Sequence, residues 1–353
     1  MFWPSCLRAC KHEFGIVRKG AVMRWLMIGS LVAILAGSGL WVLGAHSVKT
    51  GMDHWAETRR AEGWQAEYAA LDVTGYPLRF RAAFTDLALA DPETGLAWQA
   101  AAFETDTSAL RPSRVRVLWP GTQYIATPLE KIGLSASPVQ GLLHLSPGPS
   151  LELAKAEMVF NALSLASDRG WQASVGAARF SAVRTGPATY ATHASATGMR
   201  LPSRAVGLLD DNGVLPDLFE GVEITATLTF DRPWDRRAIE ERRPHPTGLA
   251  LTRLEAQCGS LALAATGTVA IAPDGIPSGE IALRATNWQE MLRVAVSAGA
   301  LPESAARQME KGLGLLAGLS GRSDTLDAPL RFSGGRIWLG PIPLGKAPAL
   351  RLR

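Results

Sequence analysis

Twenty-one consecutive residues, Trp25 to Ala45, carry no charge. A helix of that length rises about 31 Å at 1.5 Å per residue, the thickness of a bilayer's hydrocarbon core. A core helix of a soluble protein normally keeps a polar face; this run has none. Trp25 and Trp41 stand near its two ends, where aromatic side chains settle at membrane interfaces. Arg8, Lys11, Arg18, Lys19 and Arg24 precede the run against Glu13 alone. The positive-inside rule then puts the N-terminus in the cytoplasm and the body across the membrane. A cleaved signal peptide is the competing expectation, with an apolar stretch of about 7–15 residues ending in small-x-small. Here the run is longer, Leu43 takes the −3 place before Ala45, and Ala36-Gly37-Ser38 lies inside the apolar stretch. A transmembrane anchor over 25–45 is therefore expected, behind a basic tail over 1–24. Met23 opens a compact start for such an anchor, which would make the residues before it a start-site extension.

The tail also accounts for the charge balance. The net charge is +4, and beyond residue 24 basic and acidic residues are equal at 31 each. A neutral body has no electrostatic footprint for nucleic acid. With 47% apolar and 19% charged residues, the chain is too hydrophobic to be disordered. Three cysteines exclude a disulfide scaffold. Cys6 and Cys10 lie in the tail, and Cys258, alone in the body, is expected to be a small buried side chain.

After the anchor, Val48, Met52 and Trp55 recur at helical spacing, which predicts a short amphipathic juxtamembrane helix over 46–63. From residue 64 to 353 the dominant period is two. Val222, Ile224, Ala226, Leu228 and Phe230 alternate strictly with Glu223, Thr225, Thr227 and Thr229, the mark of a strand with one buried and one wet face. Leu78, Phe80, Ala82 and Phe84, then Val115, Val117 and Trp119, then Ile281, Leu283 and Ala285 repeat the pattern. Turn signals at Gly75-Tyr76-Pro77, Asp91 to Gly95, Pro147-Gly148-Pro149, Asp211-Asn212-Gly213 and Pro273-Asp274-Gly275 leave short intervals, which favour antiparallel hairpins over crossover helices. Two helices are expected near the end. Asn287, with Glu290 three places on, resembles a capping box and starts a helix through about Ser297. Pro302 precedes a stripe of Ala305, Met309, Gly312, Leu313 and Leu316 over 303–317. Asp231 to Arg243, nine charged residues in thirteen, is expected to be a solvated loop or short helix. The fold expected is mainly β with minor α: a twisted antiparallel sheet, closed as a sandwich or open as a groove.

The sequence shows no local catalytic motif. The six histidines form no i, i+4 pair, and no nucleophile elbow, phosphate loop or dinucleotide fingerprint is present. Asp210 to Gly213 lacks the ligand spacing of a calcium loop. No cofactor or metal is expected, and the role expected is noncatalytic, with an unrecognised hydrolase the outside alternative.

Three strings carry a resemblance: GWQAEYAALDVTGYPLRF at 63–80, DPETGLAW at 91–98 and GRIWLGPIPLG at 335–345. With the N-terminal anchor they resemble the bacterial family DUF2125 over roughly 23–350, and distantly the AsmA-like proteins. The resemblance implies an inner-membrane anchor, a periplasmic β-body whose sheet bends into an apolar groove, and phospholipid or an envelope protein as partner. It carries no catalytic residues. Under it, Leu78, Phe80, Phe84, Val222, Ile224, Leu228 and Phe230 are either plain core or the lipid-contacting lining of a groove. Closed packing is the nearer expectation for 222–230, because the groove rests on the resemblance alone and alternation does not distinguish a facing sheet from an acyl chain.

Overall fold

The computed structural model describes residues 14–137, 139–200, 219–297, 303–319 and 323–350. A single helix, α1, runs from Phe14 to Ala61, so the anchor and the juxtamembrane segment are one rod about 72 Å long. Its window of mean hydropathy 2.1 is unburied, and it is long and apolar enough to cross a membrane. The rod ends where the amides of Gly63 and Trp64 turn back onto the carbonyls of Arg60 and Arg59 (both 3.0 Å), a Schellman closure.

The body is mainly β, as expected: one 18-stranded sheet. β1 (Gln65–Glu67) and β2 (Ala70–Thr74) lie end to end along β3 (Arg79–Asp91), which pairs with β4 (Leu96–Ser108). β5 (Arg111–Trp119) and β6 (Gln123–Ala126) share the next rank, followed by β7 (Lys131–Ser135) and β8 (Val139–Leu145). From there each strand pairs with the next: β9 (Leu153–Ser167), β10 (Gln172–Arg184), β11 (Thr189–Arg200), β12 (Phe219–Phe230), β13 (Pro246–Cys258), β14 (Leu261–Ile271), β15 (Pro277–Thr286), β16 (Thr325–Ser333), β17 (Arg336–Leu339) and β18 (Ile342–Lys346). Every pairing is antiparallel. Fifteen ranks at about 4.8 Å make a ribbon about 65 Å across its strands.

A crease crosses half of this ribbon. Asp86 in β3 and Ala162 in β9 take positive φ (both 50°), and Gly176, Gly198 and Glu220 face one another across β10 to β12 on the same line. The breaks between β5 and β6 and between β7 and β8 fall on it too. At the crease the inward positions shift by one: Phe84 is buried before Asp86 and Leu87 after it, so the apolar side stays the same while the sequence parity changes.

Turns follow the sequence. The Asp91 carboxylate accepts the Glu93 amide (2.9 Å) and Gly95 closes onto the Asp91 carbonyl (2.9 Å). Asp274 accepts the Ile276 amide (3.0 Å) at the β14–β15 turn. Asp211-Asn212-Gly213, Asp210 and Pro302 lie outside the described residues. Asp231 to Arg243 holds α2 (Arg237–Glu240). The expected C-terminal helices are α3 (Trp288–Ser297) and α4 (Glu303–Leu319). Asn287 starts α3 by another route than a capping box: it sits at φ 58°, and its side-chain Nδ2 donates to the Ser260 carbonyl (2.6 Å). This locks the helix start to the end of β13.

Candidate functional site: an apolar sheet face

Directly paired residues of an antiparallel sheet point to the same side, so the register shows which side chains share a face. From Phe80, Ala82 and Phe84 the partners in turn are Thr107, Thr105 and Phe103, then Val115 and Val117, then Leu143 and Gly141. The line continues through Ala156 and Met158 to Ala182 and Phe180, and through Thr192 and Ala194 to Ala226 and Ile224. It goes on through Leu251 and Leu254 to Ala265, Ile281 and Leu283, and ends at Leu330, Ala328 and Leu339. Phe80, Phe84, Val222, Ile224, Leu228 and Phe230, separated by up to 150 residues of sequence, therefore lie on one continuous apolar face. Leu78 is the exception. It falls outside β3, at the β2–β3 turn, and is 55% exposed.

The opposite face is polar. Arg284 meets its register partner Asp327 (2.7 Å), and Arg331 meets its partner Glu280 (3.1 Å). A shallow trough of about 510 Å³ opens on this side among Thr197, Glu223, Glu255, Gln257 and Arg284. Glu255 there is held by Arg253 (2.6 Å), which keeps its carboxyl below the usual range. Among the described residues no group of three His, Cys, Asp or Glu side chains could hold a metal ion. His193 faces the Thr225 hydroxyl (3.3 Å) and His245 the Ala272 carbonyl (3.2 Å).

The apolar face is covered only in places. At one end Val48 of α1 packs with Leu71, Ala82, Phe84 and Leu87. At the other, Trp288, Met291, Leu313 and Ala317 of α3 and α4 cover Leu263, Ala285, Leu326 and Ala328. Cys258 is buried below Met291 and Val294, and burial, then the Glu220 charge, raises its thiol.

The charged segment 231–245 forms a third cover. It leaves β12, reaches over Tyr190, and bonds to the start of β9 through Leu153 N–H to Trp234 O (2.7 Å). Trp234 and Tyr190 each meet Phe230 edge-on (5.7 and 5.9 Å between centroids). The Tyr190 hydroxyl accepts the Trp234 amide (3.1 Å). Burial alone would raise the Asp235 carboxyl, but the Arg237 guanidinium and amide outweigh it and hold it below the usual carboxylate range. Charge density predicted a solvated loop or short helix, and α2 is that helix; the cover was not foreseen, and the apolar Trp234 inside the run, with Pro244 just after it, was the overlooked signal.

From β8 to β12, away from the strand ends that 231–245 covers, no second layer lies over the face among the described residues. Val222, Ile224, Leu228 and Phe230 are half-buried, Ala226 alone is buried, and Phe180 is 38% exposed. Against the closed packing expected for 222–230, no facing sheet is seen among the described residues: Ile224 and Ala226 pack with Leu251, Leu254, Ala265 and Leu283 of neighbouring strands, and Phe230 with Trp234.

Trp41, expected at a membrane interface, binds the sheet instead. It stacks on Phe80 (5.9 Å, 4° between planes), meets Tyr76 edge-on (5.6 Å) and donates its indole N–H to the Arg79 carbonyl (2.8 Å). Trp25 is 74% exposed. No curated protein and no solved structure matches the chain. A family model does, over residues 41–348, which takes in the three strings singled out in the sequence, the Trp41 dock and the whole sheet: the chain belongs to DUF2125, a family described as an uncharacterized protein conserved in bacteria.

Proposed function

We propose that this chain is a noncatalytic, single-pass protein of the bacterial inner membrane, with its body in the periplasm, that shelters the acyl chains of a phospholipid on its apolar face. One observation carries this: an apolar face that is continuous from Phe80 to Leu339 yet, among the described residues, uncovered between its three covers. Leaving such a face to water costs about 25 cal/mol for each Å² of apolar surface, and exposed apolar patches of this extent mark ligand or membrane contacts. α1 supports the placement by its length, its hydropathy and the basic residues that precede its uncharged run.

A role through strand pairing with a partner protein has less support. Edge strand β18 carries Pro343, Gly345 and Lys346, which blunt an edge, and the β1–β2 edge lies beside α1. The test is photocrosslinking of the full chain in vesicles that contain a phosphatidylethanolamine with a diazirine near the acyl terminus. Adducts are expected on peptides covering 156–182 as well as on α1. Adducts confined to α1, on a folded protein, would refute lipid sheltering.

A further inference from the structure

The sheet is docked on the part of α1 that has no charge. The Ser38 and Tyr76 hydroxyls are hydrogen-bonded (2.7 Å), and Trp41 holds the Arg79 carbonyl. A Cβ on Gly44 would meet the tip of the Phe80 ring at 2.8 Å, so the glycine leaves room for this ring against the helix. Higher on the rod, Val48 packs with Phe84, Asp53 accepts the Tyr68 hydroxyl, and Arg60 donates to the Ala66 carbonyl (2.7 Å). Helix and first strands are therefore tied along most of the rod beyond Ser38, and their relative height is fixed.

That height has a consequence, which rests on the proposal that α1 spans the bilayer. If the hydrocarbon core spans Trp25 to Ala45, Ser38 lies seven residues inside its outer edge, a depth of about 10 Å, and Trp41 lies about 6 Å inside. Tyr76, bonded to Ser38, must share that depth. The chain around it suits the place. Gly75-Tyr76-Pro77-Leu78 has no charge, and Tyr76 and Leu78 are 54% and 55% exposed. The neighbouring β4–β5 turn joins them through Ala109 N–H to Leu78 O (2.9 Å), and its Leu110 is 77% exposed. Three large exposed side chains thus stand at the tips of two adjoining hairpins, and Tyr76 among them touches α1 at Ser38 and Trp41. Behind the tips charge appears at once. Arg79 is held by Asp106 (3.0 Å), while Arg81, Arg111, Arg114 and Arg116 are exposed, with no ion pair among the described residues. That is the order a leaflet presents: hydrocarbon first, then anionic phosphate.

We infer that the β2–β3 and β4–β5 turns are inserted into the outer leaflet of the membrane that α1 spans, with Tyr76, Leu78 and Leu110 among the acyl chains and the arginines of β3 and β5 at the phosphates. Phe80, the first residue of the apolar face, then lies at the hydrocarbon boundary, and the face begins where the lipid chains are.

The test uses the full chain with its three cysteines replaced, reconstituted in phosphatidylethanolamine–phosphatidylglycerol vesicles, with one environment-sensitive fluorophore at a time on Leu110→Cys, Leu129→Cys or Leu35→Cys. Leu129 is as exposed as Leu110 (73%) but sits beyond β6, at the opposite end of β4. Leu35 reports α1. Nitroxide on the lipid chains should quench the probes at 110 and 35 severalfold more than aqueous iodide does, and the probe at 129 should show the reverse. A probe at 110 quenched by iodide, with 35 still lipid-quenched, overturns the insertion and leaves the anchor standing. Lipid quenching at both 110 and 129 means that the body lies along the surface, and overturns the tip geometry. Iodide quenching at 35 refutes the anchor and the insertion with it.

Discussion

Charge placed on the apolar face distinguishes an open sheet from a closed one. Ile224 and Leu228 are half-buried, and Ile224 packs with side chains of adjoining strands. Full burial of an aliphatic side chain is worth about 1.5–3 kcal/mol, so replacing either by Asp should remove about 1 kcal/mol of that, with little desolvation penalty because water reaches the carboxylate. Against a facing sheet, an unpaired carboxylate would cost several kcal/mol more, a large share of the roughly 5–15 kcal/mol that holds a domain together. At about 2–3 °C per kcal/mol for a body of this size, the open face predicts a fall of about 2–3 °C for Ile224→Asp or Leu228→Asp. Thr225→Asp is the control. It changes the polar face, where position 225 is paired with Arg253, and should leave Tm unchanged or slightly raised. The assay is thermal unfolding of the full chain in detergent, followed by circular dichroism, with retained phospholipid measured on the same samples. Lipid retention should fall with both inner-face variants and hold with Thr225→Asp. Loss of more than about 10 °C, or aggregation of either inner-face variant beside a stable control, would refute the open face.

Three further outcomes are expected. In β14 and β15, Gly267 and Gly279 hold positive φ (157° and 141°), and a Cβ on either would lie 2.3 Å from a backbone carbonyl oxygen of the paired strand; Gly267→Ala should cost about 2–3 kcal/mol, whereas Gly314→Ala, on an open helix surface, should gain about 0.5–1 kcal/mol, both measured by denaturant titration. Burial, then the hydrogen bond to Asp53, pushes the Tyr68 phenol up to about 12; the unfolded phenol ionises first, so its contribution is intact below pH 10 and falls between pH 10 and about 12, and stability measured across that window should decline less steeply in Tyr68→Phe. With Cys6 and Cys10 replaced by Ser, Cys258 should react with an aromatic disulfide reagent at least about tenfold more slowly than a free thiol, as burial and a raised pKa require, and at full rate after unfolding; rapid reaction of the folded protein would contradict the packing of α3 over β13.

Strand identity was legible because each strand carries its own pattern, and the strict alternation of 222–230 became β12. Hairpin turns were legible because Asp91, Gly95 and Asp274 form local bonds that depend on no distant residue. The crease was not. Asp86 and Ala162 take positive φ without a glycine to announce it, and the parity shift at Asp86 reads in sequence as an end to alternation rather than a bend within one strand. The candidate site was legible only in halves. Phe80 and Phe84 were one apolar set and Val222 to Phe230 another, and nothing local joins them. Their union depends on the register of all the pairings between β3 and β12, each of which keeps the apolar side chains on one side.

The dock of α1 on the sheet was hidden for a different reason. In sequence, Trp41 fits a membrane interface as well as it fits a stacking partner for Phe80, because an indole offers an apolar ring and one N–H to either. The choice falls to the sheet because Gly44 lets Phe80 approach the helix and the Arg79 carbonyl stands 2.8 Å from the indole nitrogen. The same residue that fixes the height of the hairpin on the helix thus fixes where the apolar face starts. On the proposed reading, lipid sheltering depends on this contact and anchoring does not: Trp41→Ala, which removes the stacking and the hydrogen bond together, should reduce acyl-chain crosslinking at residues 156–182 while leaving α1 in the membrane. Unchanged crosslinking there, with α1 still labelled, would show that the face is filled by a route that does not begin at this helix.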